Sequence, residues 1–118
     1  MRALLINVHD RIISDVEVVS DDSGSQLKSM YSLIGCDLVA VAANIPTQNP
    51  KHFDSIYVDD EGLHNPNLSS FVLTCPAIYP NPQTFVGNGL VLGLDSYTGE
   101  SIDVSMALYD LATMIDWI

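Results

Sequence analysis

The apolar residues of this chain come in short runs, separated by proline, glycine and acidic turn residues. Runs of about four to eight residues bounded by turn residues are typical of strands, whereas a helix needs a longer amphipathic pattern. Because segments that follow one another along a chain usually pair, these strands should form mostly antiparallel pairs. We predict seven of them: Ala3–Val8, Val16–Val19, Leu38–Ile45, Ser55–Val58, Ser69–Thr74, Leu90–Leu94 and Ile102–Val104.

One stretch near the start of the chain has helical spacing instead. Leu27, Met30, Tyr31 and Ile34 fall at positions that share one helical face, and Gly35 follows where a helix commonly ends. The pattern therefore predicts a helix over residues 25–34, preceded by a polar loop with capping residues.

Residues 106–117 have the same kind of spacing, which predicts a second helix; the apolar face consists of Leu108, Leu111, Ile115 and Ile118, with Met114 beside them. Trp117 and Ile118 make the end of the chain apolar. Two interpretations stay open for this pair. Either it docks on the core, or it forms the contact between two copies in a homodimer, since interfaces favour aromatic side chains.

These elements predict an α+β fold, in which a small, mostly antiparallel sheet of five to seven short strands is packed by two helices, at about 25–34 and 106–117. The chain has 118 residues, of which 47% are hydrophobic and 16% charged. This composition supports one ordered core, so we expect a single compact domain over residues 1–118. No apolar run reaches the length of about 18 residues that a transmembrane helix needs.

Charge is distributed unevenly along the chain. The four cations are Arg2, Arg11, Lys28 and Lys51, whereas 15 residues are acidic and the net charge is −11. From His52 to the end there is no lysine or arginine. A nucleic-acid binder needs cations to contact phosphates, and an anionic membrane attracts cations too, so we expect neither direct nucleic-acid binding nor membrane binding.

Nine acidic residues follow His52, and seven of them are the candidate binding residues. They are Asp54, Asp59, Asp60, Glu61, Asp95, Glu100 and Asp103. If they face outward, they would suit a basic protein surface, because complementary charge steers association. The alternative interpretation is that the negative charge only keeps a small apolar domain in solution.

No local pattern of catalytic or metal-binding residues stands out. His9, His52 and His64 lack the spacing of a metal site, and Cys36 and Cys75 are too few for a disulfide scaffold. We therefore expect a non-enzymatic protein with no cofactor and no metal. Because no signal peptide is evident, we expect it in the cytoplasm with both thiols reduced.

A proline-rich segment offers a second functional hypothesis. The segment Pro76–Pro82 holds three prolines and excludes regular helix, and Asn88–Gly89 suggests a tight turn between two strands. Tyr79, Phe85 and the Gly87–Gly89 stretch could line a concave site with aromatic rings and backbone polar groups. The alternative function is therefore a small-ligand-binding domain.

Three stretches follow one another in a recognisable order: Leu27–Cys36, Ile56–Leu63 followed by Asn65–Asn67, and Val86–Gly93 ahead of a terminal helix. This order resembles the small proteins of the domain-of-unknown-function 3846 family, although the segment Pro76–Pro82 departs from the pattern. The family has no settled activity and so implies no catalytic residue. The resemblance implies a phage or plasmid setting, where small acidic proteins often block host enzymes or defence systems.

The leading hypothesis is therefore an acidic accessory protein that acts by binding a basic macromolecular partner.

Overall fold

Short strands make up most of the secondary structure, as a computed structural model of residues 1–62 and 68–118 shows. In chain order the elements are β1 (Arg2–Asn7), β2 (Ile12–Glu17), α1 (Leu27–Ile34), β3 (Val39–Pro46), β4 (His52–Asp59), β5 (Ser70–Leu73), β6 (Gln83–Val86), β7 (Gly89–Asp95), β8 (Ser101–Ile102), α2 (Leu108–Ala112) and β9 (Ile115–Trp117).

The strands form two antiparallel sheets. The larger sheet has the order β2-β1-β7-β4-β3, with β8 also pairing β7, and the smaller sheet has the order β6-β5-β9. The predicted α+β class with mostly antiparallel strands is confirmed. The prediction of five to seven strands was too low, because the described part of the chain holds nine.

The larger sheet is buried on both faces, so the core has two parts. Successive side chains of β7 belong to the two parts in turn, because side chains alternate between the faces of a sheet along a strand. Leu90 and Leu92 pack on one face with Met30 and Ile34 of α1. Val91 packs on the other face in the larger cluster, which the smaller sheet and α2 cover. The result is a layered arrangement of helix, sheet and second sheet.

The first predicted helix is confirmed, although it begins at Leu27 rather than at residue 25. Gly35 ends it as expected, with a left-handed φ of 81° and an N–H that donates to the carbonyl of Tyr31 at 2.8 Å. Glycine adopts this conformation without the steric cost that a Cβ brings. The helix presents Met30 and Ile34 to the larger sheet.

The second helix, predicted over residues 106–117, is shorter than expected, and the prediction was wrong for the residues after Ala112. Helix α2 spans only Leu108–Ala112, and Ile115–Trp117 is a strand that pairs with β5, so that Trp117 lies opposite Phe71. Leu111 and Ile115 are both buried, as the helical spacing required. A short helix followed by a turn and a strand buries these two residues equally well. Ile118, which the predicted helical face included, is exposed.

The Asn88–Gly89 turn was also predicted wrongly. Strands β6 and β7 do not form a hairpin, because β6 pairs with β5 and β7 pairs with β1, β4 and β8. The chain passes from one sheet to the other at Gly87, whose φ is 88°. The side-chain oxygen of Asn88 accepts a hydrogen bond from the Val8 N–H at 2.9 Å and so secures the crossing.

The segment between β8 and α2 is attached to the larger sheet by two charged side chains. Asp54 of β4 is 2% exposed, and its two carboxylate oxygens accept the N–H groups of Ser105 and Met106 at 2.8 and 3.0 Å. From the other side, the Arg2 guanidinium donates to the carbonyls of Val104 and Met106. A buried carboxylate bonded in this way stabilises the fold, whereas unpaired N–H groups would destabilise it.

We predict that Asp54→Asn destabilises the protein by about 2 kcal/mol, because the amide NH2 cannot accept one of the two buried N–H bonds. Urea denaturation followed by circular dichroism measures the change in unfolding free energy. The matched control is Asp22→Asn, an exposed carboxylate, which should change it by less than about 0.5 kcal/mol. Equal stability of the two variants would show that the carboxylate of Asp54 does not anchor the segment.

Candidate functional site

Three of the predicted binding residues lie together at one end of the larger sheet. Asp59 ends β4, and Asp60 and Glu61 form the exposed turn that follows it. The Asp59 carboxylate accepts the Glu61 N–H at 2.9 Å, which fixes the turn. Because β3 and β4 are antiparallel, with Val39 opposite Asp59, this turn lies beside the start of β3.

Asp37, which the sequence analysis did not select, belongs to the same group. It is exposed and lies two residues before Val39, where β3 begins. The predicted pairing of neighbouring strands could have placed it opposite residues 60 and 61, because a hairpin brings the start of its first strand to the end of its second. We name Asp37, Asp59, Asp60 and Glu61 the acidic end.

The acidic end affects the pKa of a nearby thiol, that of Cys36. Burial raises the pKa of the Cys36 thiol, and the negative charges of Asp59 and Asp37 raise it further. Both effects disfavour the thiolate, because it would be an anion in a partly apolar and negatively charged environment. Asp37 and Asp59 therefore both act on the Cys36 thiol, although one lies in the loop before β3 and the other at the end of β4.

Asp95 and Glu100 lie at the opposite end of the sheet. Asp95 is paired with His52 at the beginning of β4, seven residues from Asp59. At roughly 3.3 Å per residue this separation is about 23 Å. A cation is also present there, since the Lys51 ammonium lies 5.3 Å from the centre of the Tyr97 ring. The structure does not bring these two acids together with the acidic end.

Two further candidates have structural contacts of their own. Asp54 is buried and bonded to the backbone, so the expectation that it faces outward was wrong: the face of β4 on which it lies packs against the segment before α2. Asp103 is exposed, and its carboxylate accepts the backbone N–H of Arg2 at 2.8 Å. Neither residue is part of the acidic end.

The ion pairs of the described residues are both in the first two strands. The terminal ammonium of Met1 contacts Glu17 at 2.7 Å, and Arg2 contacts Asp15 at 2.8 Å. Within residues 1–62 and 68–118, no lysine, arginine or histidine forms an ion pair with a carboxylate of the acidic end. Its negative charge is therefore uncompensated by the described part of the chain.

A cleft of about 230 Å³ lies next to the acidic end, between the edges of the two sheets. Ala40 and Val58 line it from the larger sheet, and Phe85 lines it from β6. Asp59 and Asp60 stand at its rim. The cleft thus combines an apolar wall with carboxylates, which is an environment that suits the long aliphatic stem and charged head of a lysine or arginine.

The residues of the ligand-binding alternative are not grouped around one cavity. The Tyr79 hydroxyl donates a hydrogen bond to the Ala42 carbonyl, Phe85 packs against Phe71 with ring centres 5.7 Å apart, and Gly89 is buried inside β7. A larger cleft of about 630 Å³ lies elsewhere, between the β3–β4 turn and α2. It is lined by Pro46, Thr47, Gln48, Asn49, Asp54, Ser105, Met106 and Asp110.

Trp117 and Ile118 have different environments. Trp117 is partly buried against the larger core cluster, whereas Ile118 is 63% exposed. The Ile118 carbonyl accepts a hydrogen bond from the Arg11 guanidinium at 3.2 Å. One residue of the predicted pair therefore supports the fold, and the other presents an apolar side chain to solvent.

The described residues contain neither a metal-binding cluster nor a helix that could span a membrane. No group of three histidine, cysteine or acidic side chains could hold a metal ion in residues 1–62 and 68–118. In the same part of the chain, no helix has the length and apolar character needed to cross a membrane. His64 and the Asn65–Asn67 part of the family-like pattern lie outside the described residues.

We predict that Asp59→Asn lowers the pKa of the Cys36 thiol, because it removes one of the negative charges that disfavour the thiolate. Iodoacetamide labelling of Cys36, followed by mass spectrometry over a range of pH, should then show faster alkylation at mildly alkaline pH than in the unmodified protein. Asparagine still offers an oxygen to the Glu61 N–H, and Asp22→Asn serves as the control. An unchanged pH profile would contradict the proximity of Asp59 to the thiol.

Comparison with known proteins identifies the family. Searches of curated proteins and of solved structures find no match. A family model, described as a domain of unknown function, matches residues 1–115. The match covers both sheets and nearly all of the chain, in agreement with the resemblance noted for the three stretches. The chain belongs to the DUF3846 family.

Proposed function

We propose that this protein is a non-enzymatic binding module whose acidic end contacts a basic surface on another protein. The proposal uses four carboxylates: Asp59 at the end of β4, Asp60 and Glu61 in the turn that follows it, and Asp37 in the loop that leads into β3. It does not use Asp95, Glu100 or Asp103, which lie elsewhere. A partner surface rich in lysine and arginine would supply the compensating charge.

The observation that carries the proposal is the absence of any ion pair at the acidic end within the described part of the chain. Folding brings Asp37 close to Asp59 and Asp60, and none of the described cations forms an ion pair with them. Like charges held together repel one another, and a basic partner relieves that repulsion when it binds. Such binding is screened by salt, since the groups are mostly exposed.

The phage or plasmid setting that the resemblance implies extends the proposal to a kind of partner. In that setting, a basic host enzyme or defence protein in the cytoplasm is the partner that we expect this accessory protein to bind or inhibit. A homodimer formed through the exposed Ile118 beside Trp117 is compatible with this role. It would leave the acidic end of each copy accessible, because Trp117 lies in the smaller sheet on the side of β5 away from β6.

The small-ligand alternative has less support. It requires Tyr79, Phe85 and the Gly87–Gly89 stretch to share a cavity, but the Tyr79 hydroxyl is bonded to Ala42 and Gly89 is buried in a strand. We therefore favour the protein-binding function.

We predict that the triple variant Asp37→Asn, Asp60→Asn, Glu61→Gln no longer captures the basic partner that the unmodified protein captures from host lysate. The matched control is Asp22→Asn, Asp110→Asn, Asp116→Asn, which removes three exposed charges elsewhere. Both variants have the same net charge, so a difference between them reports on the position of the charges. Quantitative mass spectrometry of the captured proteins measures the result.

The control variant should retain the partner, and raising the salt from about 50 to about 500 mM should release it from the unmodified protein. Equal losses in the two variants would show that only total charge matters. Capture that is insensitive to salt, or that brings down no basic protein, would contradict the proposed function.

A further inference from the structure

Strand β3 is an edge of the larger sheet, and an irregularity divides it into two halves. The pairing with β4 shifts register between Val41 and Ala43, which leaves Ala42 as an extra residue. An edge strand exposes unpaired N–H and C=O groups that can pair with another chain, and proteins often protect such edges. The two halves of β3 differ in this protection.

The half after the irregularity is protected. The carbonyl of Ala42 accepts the hydroxyl of Tyr79, which comes from the proline-rich segment. Pro46 ends the strand and has no N–H to offer. These features are among those that prevent a further strand from pairing with an edge.

The half before the irregularity, Val39–Val41, forms an open stretch together with Leu38, which precedes it. The Asp60 N–H donates to the Leu38 carbonyl at 3.0 Å, so Leu38 directs its backbone groups toward β4. Backbone direction alternates along an antiparallel strand, and therefore Val39 and Val41 direct theirs away from the sheet. Outside the strand pairs, no hydrogen bond within the described residues involves the N–H or C=O of either valine. The Val41 side chain is 53% exposed.

Charge decides which occupant fits this open half. The acidic end lies directly beside it, since Val39 is opposite Asp59 and Asp37 precedes the strand. A second copy paired antiparallel over residues 38–41 would offer the acidic end only its own residues 38–42, which are all uncharged, and would leave that negative charge uncompensated. A segment with lysine or arginine would instead be attracted.

We propose that an extended, basic segment of the partner protein adds to the larger sheet along Leu38–Val41. Backbone hydrogen bonds to Val39 and Val41 would hold it, as in other cases of strand addition to an exposed edge. Its side chains would alternate in direction, with one set near the exposed Val41 and the other over the cleft formed by Ala40, Val58 and Phe85. This inference rests on the proposed function and specifies the form of the partner.

The test uses a fluorescein-labelled octapeptide of alternating valine and arginine, titrated with the full chain and followed by fluorescence anisotropy. Two further peptides have the same sequence but are N-methylated on every valine or on every arginine. In an added strand only one of these sets of N–H groups faces β3. We expect one methylated peptide to bind like the parent and the other to bind at least about tenfold more weakly.

A protein variant tests the same contact from the other side. Val41→Pro removes an N–H that faces away from the sheet, at an edge position where proline is tolerated, and Val41→Thr keeps the N–H and the branched shape. We expect the proline variant to lose peptide binding and the threonine variant to retain it. Thermal melting checks that both fold, and if the proline variant does not, the methylated peptides decide with the unmodified protein.

The outcomes separate this inference from the proposed function. Equal binding of the parent and both methylated peptides would overturn strand addition. Equal binding of an alternating valine–glutamate peptide would overturn the requirement for a basic segment. If no peptide binds while the lysate partner is still captured through the acidic end, the inference is wrong and the proposed function stands. If the lysate experiment also fails, the proposed function is contradicted as well.

Discussion

The carboxylate of Asp54 is the contact on which the arrangement of the two sheets depends. It lies inside the protein on β4 and binds two consecutive N–H groups just before α2. Arg2 binds carbonyls of the same segment from β1. The path of the chain from β8 through α2 to β9 is thereby set relative to the larger sheet, and β9 completes the smaller sheet over the core. An acidic residue that composition would assign to the surface thus has a structural role.

Much of the fold could be predicted from local patterns. The helix that ends at Gly35 follows from the spacing of its apolar residues. Most strands of the larger sheet follow from short apolar runs and turn residues. The end of the chain could not, because Leu111 and Ile115 have a spacing that fits a helix as well as a helix followed by a strand. Pairing with β5 decides between the two, and it depends on residues about 40 positions earlier.

The candidate site was predictable in part for a related reason. Adjacency along the chain is enough to group Asp59, Asp60 and Glu61, but the relation of Asp95 to them depends on how β7 is inserted between β1 and β4. The antiparallel register of β7 places Asp95 at the far end. Asp37 joins the group only through the pairing of β3 with β4, which composition does not reveal.

The central position of β7 has a consequence for how the chain folds during synthesis. In the larger sheet, β1 lies between β2 and β7. Ile6 of β1 is paired with Gly89 of β7, which the ribosome adds 83 residues later. Until β7 is synthesised, the nascent β1–β2 hairpin exposes its apolar surface and the edge of β1 that later pairs with β7. Intermediates with exposed apolar surface and unpaired edges aggregate or bind chaperones. Contacts between residues this distant in sequence also slow folding. The yield of native protein should therefore depend on what happens to this intermediate before β7 is synthesised.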